Sequence, residues 1–208
     1  MTPPASTFDA RDPYARVASW YEPLLGWPLR SMREAVVALC REAVVGRMVD
    51  LCCGTGRQLA LLRAAGVRAY GADVSAAMLS QGQGGDIVRA HGGALPFADD
   101  AFDLSLVSLA LHEMDREVAD AVLCEALRVA PQVLLAEYRM AERNIDLPAA
   151  LFVHVPERIA GGAHYRNFRA FMRAGGVEGL VARHGLSVVR RERLWAGAGA
   201  LVLARRPS

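Results

Sequence analysis

The sequence predicts an α/β protein: a doubly wound, mostly parallel seven-stranded sheet that ends in an antiparallel C-terminal hairpin. Three observations carry that prediction. Short apolar runs alternate with helical stretches from Met48 to Tyr138, the pattern of a parallel sheet covered on both faces. The run Met48-Val-Asp-Leu-Cys-Cys-Gly-Thr-Gly56 places glycines where a strand stops and a helix begins, so the backbone can turn tightly beside a ligand. Finally, the last two strands are linked only by Gly197-Ala-Gly199, too short for a crossover helix, which makes them an antiparallel pair.

The elements follow in order. Residues 1 to 12 are polar and proline-containing, and read as a frayed start. From Pro13 to Val45 the apolar spacing suits two helices broken near Gly26-Trp27-Pro28. Met48–Cys52 reads as the first strand and Arg57–Gly66 as its helix; Arg68–Val74 is followed by Ser75–Gln81, and Asp86–Ala90 by a loop. Phe102–Leu109 precedes a helix over Arg116–Ala130, and Gln132–Tyr138 closes the alternation. Thereafter Asn144–Gly162 reads as irregular, His164–Gly175 and Val177–Gly185 as helical, and Leu186–Trp195 and Ala200–Arg206 as the hairpin. The chain divides into N-terminal helices, residues 1–45, forming part of a lid, and a catalytic unit, residues 46–208, within one structural domain.

Composition excludes several functions. At 208 residues, 53% hydrophobic and 22% charged, the chain can bury one substantial core. It contains no lysine, which removes both the Gly-Lys-Ser/Thr phosphate loop and Schiff-base chemistry. The net charge of +2 arises from arginines spread along the chain, so no nucleic-acid partner is expected. The four cysteines show neither C-x-x-C pairing nor histidines at ligand spacing, which predicts reduced core thiols, no disulfides and no metal. No basic, apolar leader and no membrane-length apolar run is present, so no stable membrane insertion and a cytoplasmic location are expected. The sequence leaves the oligomeric state open.

Two nucleotide-type ligands compete for the glycine turn. A dinucleotide site asks for G-x-G-x-x-G, but the third glycine position holds Leu59. What remains is a turn with its acid, Asp50, inside the motif, suited to a cationic amino group. The string Val49-Asp-Leu-Cys-Cys-Gly-Thr-Gly56 resembles the first motif of class I S-adenosylmethionine-dependent methyltransferases, which usually carry glycine where this chain has Cys52. Asp73, at the end of Ala-Tyr-Gly-Ala-Asp-Val-Ser, is placed to accept two ribose hydroxyls, while Ser75 is available to cap the next helix. Ala94-Leu-Pro-Phe-Ala-Asp-Asp-Ala-Phe-Asp103 is similar to the family's adenine-side segment, with His91 standing where the family usually has Asp. Leu109-Ala-Leu-His-Glu-Met114 resembles the ubiquinone and menaquinone C-methyltransferase branch.

What the resemblance implies is S-adenosylmethionine as cofactor, held by Tyr21, Asp50, Cys52, Gly54, Thr55, Gly56, Asp73, Val74, Met78, His91, Ala94, Leu95 and Leu109. It also implies a small-molecule acceptor. His112 lies just past the fourth strand, where open α/β sheets bind ligands, as the candidate catalytic group or as pocket wall. Glu113 reads as surface or helix-start charge. Tyr14, Trp20, His154, His164 and Tyr165 are the candidate acceptor residues, the last three on a long apolar segment, 146–165, of the kind that covers binding sites. The expected reaction moves a methyl group to a small or moderately apolar acceptor by in-line displacement. A catalytically silent binding protein of the same fold, or more distantly an NAD-dependent oxidoreductase, is the alternative.

Overall fold

The computed structural model describes residues 12, 14–82, 85–142, 148 and 153–207. Seven strands form one sheet: β1 (Arg47–Leu51), β2 (Arg68–Asp73), β3 (Ile87–Arg89), β4 (Leu104–Ser108), β5 (Gln132–Tyr138), β6 (Ser187–Leu194) and β7 (Gly199–Arg205). Their order is β3-β2-β1-β4-β5-β7-β6. The first five run parallel, and β7 inserts antiparallel between β5 and β6. This is the predicted doubly wound sheet with its hairpin. The chain reverses direction across the sheet between β1 and β4, the switch point where such folds open a crevice.

The helices are α1 (Ala18–Leu25), α2 (Arg30–Glu42), α3 (Arg57–Ala64), α4 (Ala76–Ser80), α5 (Arg116–Val129), α6 (His154–Ala160), α7 (Gly162–Arg173) and α8 (Gly176–Arg183). Period-two alternation divides the strand side chains between two cores. Val49, Leu51, Val133, Leu135 and Val202 pack with Val122 and Leu123 of α5 and Leu180 of α8 on one face. Met48, Leu104, Leu106, Leu134 and Leu203 pack with Met32, Val36 and Leu39 of α2 and Leu59 and Leu62 of α3 on the other. Both faces are covered, which is why the central strands read as continuous apolar runs. Truncating a fully buried residue such as Leu134 to alanine would cost about 2–5 kcal/mol.

Leu59 shows how the chain does without the third dinucleotide glycine. Its side chain lies against Gly71 of β2, where an added Cβ would meet Leu59 Cδ1 at 2.6 Å and Cys53 Sγ at 2.8 Å. The close helix–strand approach is therefore provided by a glycine on the strand. The outer strand β6 is protected differently: Arg190, Arg191 and Arg193 are exposed, and a bulge between Val188 and Arg190 breaks its register.

Three local expectations are corrected. Residues 154–160 of the stretch read as irregular form α6, which is followed by Gly161 at φ 123° and then by α7. Positions 146, 147 and 149–152 of the apolar segment, and residues 1–11 of the expected frayed start, lie outside the described residues. Cys124 is exposed, on the outer side of α5, whereas Cys40 and Cys53 are buried as expected. The Gly197-Ala-Gly199 link is entered by a 3-10 turn, Trp195–Gly197, in which Trp195 and Ala196 take positive φ.

Candidate active site

The site begins where β1 ends. Cys52, Gly54 and Gly56 adopt φ 59°, 55° and 70°, a run of left-handed residues that folds the backbone back before α3. Glycine is needed at two of the three because a side chain is disfavoured there. Cys52 tolerates the strain with its side chain partly buried against the core. Asp73, at the end of the neighbouring β2, ties the turn down by accepting Gly54 N–H and Ser75 N–H, each at 2.8 Å. Each carboxylate oxygen keeps lone-pair capacity for a further donor. Burial pushes the Asp73 carboxyl up despite those two bonds.

Asp50 is buried on β1, and its Oδ1 has no hydrogen-bond partner among the described residues. Burial, and then the neighbouring charge of Asp73, push its carboxyl well up against the pull of Arg33. A buried carboxylate left in that condition is a site awaiting a cation or a donor. It borders a cleft with an empty volume of about 400 Å³, partly open to solvent, lined by Tyr21, Arg33, Asp50, Gly54, Thr55 and Leu109 among others. The orphaned Asp50 oxygen, the open glycine turn and the acid at the end of β2 fit an amino-acid nucleoside such as S-adenosylmethionine.

The N-terminal helices complete the cleft. Glu22 of α1 forms a two-pronged ion pair with Arg33 of α2, both contacts 2.8 Å, and accepts Thr55 Oγ1–H at 2.7 Å. Burial raises the Glu22 carboxyl, but Arg33 and Thr55 outweigh it and hold the group below its usual range. Asp12 accepts Ser75 Oγ–H at 2.9 Å and Ala77 N–H at 2.9 Å, so it caps α4 from across the sequence while Ser75 Oγ accepts Met78 N–H. Met78 is buried beneath the turn, its Cε 3.1 Å from where a Cβ on Gly54 would sit. Val74 is exposed beside it.

Beyond β3, His91 is exposed and its Nδ1 accepts Gly93 N–H at 3.1 Å. Ala94 N–H bonds to His91 O, and Leu95 N–H is held by Glu125 at 2.8 Å. These backbone donors are engaged internally, and the buried Leu95 side chain remains as an apolar surface.

At the far end of the cleft Leu109 leaves β4 at φ 49° and leads into a 3-10 turn, Leu111–Glu113. His112 in that turn is 2% exposed. Its Nδ1 is 2.8 Å from Glu137 Oε2 of β5, and its Nε2 is 3.5 Å from Glu157 Oε2 of α6. Burial disfavours the imidazolium, but Glu137 and then Glu157 and Glu113 outweigh it and raise His112 well above its ordinary value. Glu157 also contacts His164 and accepts Tyr138 O–H at 2.7 Å; burial raises its carboxyl, and these partners override that and lower it.

The structure unites some predicted acceptor residues and not others. His164 joins His112, and Tyr14 O–H bonds to Glu113. His154 and Tyr165 form a neighbouring pair at 3.1 Å, packed on Phe168. Trp20 stays apart, 62% exposed, because helical spacing puts Trp20, Leu24 and Trp27 on the solvent side of the α1 region while Ala18, Tyr21 and Leu25 face inward. Sequence reasoning missed Glu22, Arg33, Glu137 and Glu157. Glu137 carried a signal, a lone acid inside an otherwise apolar central strand.

A doubly wound sheet of this strand order, with a glycine-turn cleft at its switch point and β7 inserted beside β5, defines a Rossmann-like methyltransferase fold. Residues 49–132 match the model of a family described as methyltransferase domain. A demethylmenaquinone methyltransferase of Mycobacterium sp. (strain KMS) is 31% identical over 185 residues, covering 77% of this chain and 76% of that protein. Among solved structures, magnesium protoporphyrin IX methyltransferase from Synechocystis, with bound SAH, is similar at TM-score 0.61 and 19% identity, covering 85% of this chain and 83% of that one. A possible histamine N-methyltransferase from Thermotoga maritima is similar at TM-score 0.64 and 17% identity, covering 94% and 99%. The chain belongs to the methyltransferase domain family and is an S-adenosylmethionine-dependent enzyme. No helix among the described residues is long and apolar enough to cross a membrane.

Proposed function

We propose that the chain transfers a methyl group in line to a small or moderately apolar acceptor, acting in the cytoplasm on a dissolved small molecule. The observation that carries this is the cleft at the switch point, which reaches from the β1 turn to the end of β4. One wall is the β1 turn with Asp50 and Gly54, the other is Leu109 at the end of β4, and His112 follows three residues later. When bound, S-adenosylmethionine supplies the activated methyl, so the chain has to align the partners and exclude water. In this reading Asp50 and the turn residues Cys52, Gly54, Thr55 and Gly56 hold the amino-acid part, and Asp73 accepts the ribose hydroxyls. Val74, Met78, His91, Ala94 and Leu95 border the base, and Tyr21 covers it from α1.

His112 is the candidate group at the acceptor. Its ring nitrogens face Glu137 at 2.8 Å and Glu157 at 3.5 Å, which fix the plane of the imidazole at that end. In this reading Tyr14, His154, His164 and Tyr165 serve the acceptor, while Trp20, exposed on the outer side of α1, is not joined to them. The name of the curated relatives, demethylmenaquinone methyltransferase, makes quinols the first acceptors to try.

Two measurements test this. S-adenosylmethionine at about 100 times its dissociation constant should stabilise the chain by about 2.7 kcal/mol in a thermal melt, whereas NAD should not. Transfer of labelled methyl should then be screened against quinols, phenols and amines. Stabilisation by NAD alone would overturn the donor assignment; donor binding with no transfer to any acceptor or cell extract would favour the silent binding protein.

A further inference from the structure

Beyond the donor cleft, two histidines and a carboxylate converge in the interior between the 3-10 turn, α6 and α7. One ligating atom each from His112, Glu157 and His164 lies within 4.8 Å of the other two. His112 Nε2 is 3.5 Å from Glu157 Oε2, and His164 Nε2 contacts the same oxygen. The three come from different elements, so their convergence is tertiary.

Each of the two innermost groups is oriented from behind. Glu137 is fully buried, bonding Leu111 N–H through one oxygen and His112 Nδ1 through the other, both at 2.8 Å. A carboxylate on one imidazole nitrogen sets the tautomer and turns the other nitrogen's lone pair toward a ligand, the arrangement found behind metal-bound histidines. Tyr138 holds Glu157 by its other oxygen at 2.7 Å, leaving Oε2 for the cluster. Glu113 adds a further carboxylate, its Oε2 3.9 Å from His164 Nδ1. An isolated buried ion pair would not need this much orientation from behind.

We propose that His112, Glu157 and His164 bind a divalent transition-metal cation, of which Zn²⁺ is the first to try, with Glu137 and Tyr138 as positioning residues. Two imidazoles and one carboxylate form the donor set that zinc and non-haem iron sites use while keeping a coordination position open, and nitrogen donors disfavour Mg²⁺ and Ca²⁺. No sequence spacing announces the site, since its ligands stand at 112, 157 and 164 and no cysteine takes part. A cation held by these residues would polarise the oxygen of an acceptor that reached the cluster. That role rests on the methyl-transfer reading; metal binding itself does not.

The test uses the full chain after chelator treatment, without donor or acceptor. Zn²⁺ and, separately, Mn²⁺ are titrated by calorimetry, and Co²⁺ is added to read its ligand-field absorption. The expected result is one equivalent of Zn²⁺ per chain, weakened about 100-fold or more in Glu157→Gln and His164→Ala and about 10- to 100-fold in Glu137→Gln. His184→Ala, which removes a histidine paired with Asp120 outside the cluster, should bind like the parent. The Co²⁺ absorption should be present in the parent and lost in His164→Ala, with circular dichroism confirming that this variant is folded. A parent that takes up none of the three cations, or equal binding by parent, Glu157→Gln and His164→Ala, overturns the proposal. Metal binding without methyl transfer would sustain it and sink the proposed reaction instead; methyl transfer without metal binding would do the reverse.

Discussion

The two ends of the binding region are built in opposite ways. At the donor end the geometry is backbone: Cys52, Gly54 and Gly56 take left-handed conformations within five consecutive residues, and a single acid, Asp73, ties them. Around the 3-10 turn the geometry is side chain: His112, Glu137, Glu157 and His164 come from four separate segments and orient one another. A backbone site is therefore local and resists most substitutions except those at its glycines. A side-chain network shares its energy among its members, so removing one changes the others.

The largest expected effect on cofactor binding comes from Gly54→Val. A β-branched residue at φ 55° is strained, and its Cβ would press on Met78 Cε at 3.1 Å, so the turn would have to shift. Calorimetry should show S-adenosylmethionine affinity reduced by about 10²-fold or more, and binding within tenfold of the parent would move the donor away from this turn. His112→Ala comes next and acts at the other end. Removing one partner of a buried ionic network should cost about 3–5 kcal/mol in urea unfolding, whereas His112→Gln should retain more of the fold. In single-turnover assays with saturating donor, the glutamine variant should transfer methyl about 10²-fold more slowly with cofactor affinity near normal. Unchanged transfer would remove His112 from the reaction.

Asp73→Ala tests whether the donor end is as local as its geometry implies. Losing an acceptor of ribose hydroxyls should weaken cofactor binding by about 1.5–3 kcal/mol, while the sheet stays folded. A cooperative collapse of the fold would show that Asp73 serves structure before binding.

The smallest effect, and the most informative about charge, is expected from Asp50→Asn. The folded state raises the Asp50 carboxyl above its ordinary value through burial and Asp73. Below the unfolded value the group is protonated in both states and costs nothing. As pH rises past it, the unfolded chain ionises more readily than the folded one, so stability falls with rising pH until the folded group also ionises. The ligand-free asparagine variant should therefore melt higher than the parent at pH 8, by about 1 kcal/mol, and the difference should shrink toward pH 4. Cofactor affinity should fall in the same variant. Thermal melts from pH 4 to 8 that are parallel for both proteins would show that Asp50 is compensated within the protein.

Much of this molecule is legible in its sequence because its physical causes are local. Alternating apolar runs dictate strands covered on both faces. The short Gly197-Ala-Gly199 link forces an antiparallel end, and left-handed turn geometry selects the glycines at 54 and 56. The acids Asp50 and Asp73 stand near the ends of β1 and β2, where chain position alone places them beside the turn. Other features depend on contacts between distant residues. Helix α6 was read as irregular because His154–Ala160 carries a proline and no strong apolar period; its Glu157 is held by Tyr138 of the sheet and His164 of α7. The chemistry of Trp20 suits an acceptor pocket, yet helical phase turns it to solvent. Sequence alone thus determined the sheet, its hairpin and the glycine turn after β1, since each follows from neighbours a few residues apart. Only tertiary structure decided that Glu22 and Arg33 close the cleft and that His112, Glu137, Glu157 and His164 share one buried cluster, because no local preference records which distant side chains the folded sheet will bring into contact.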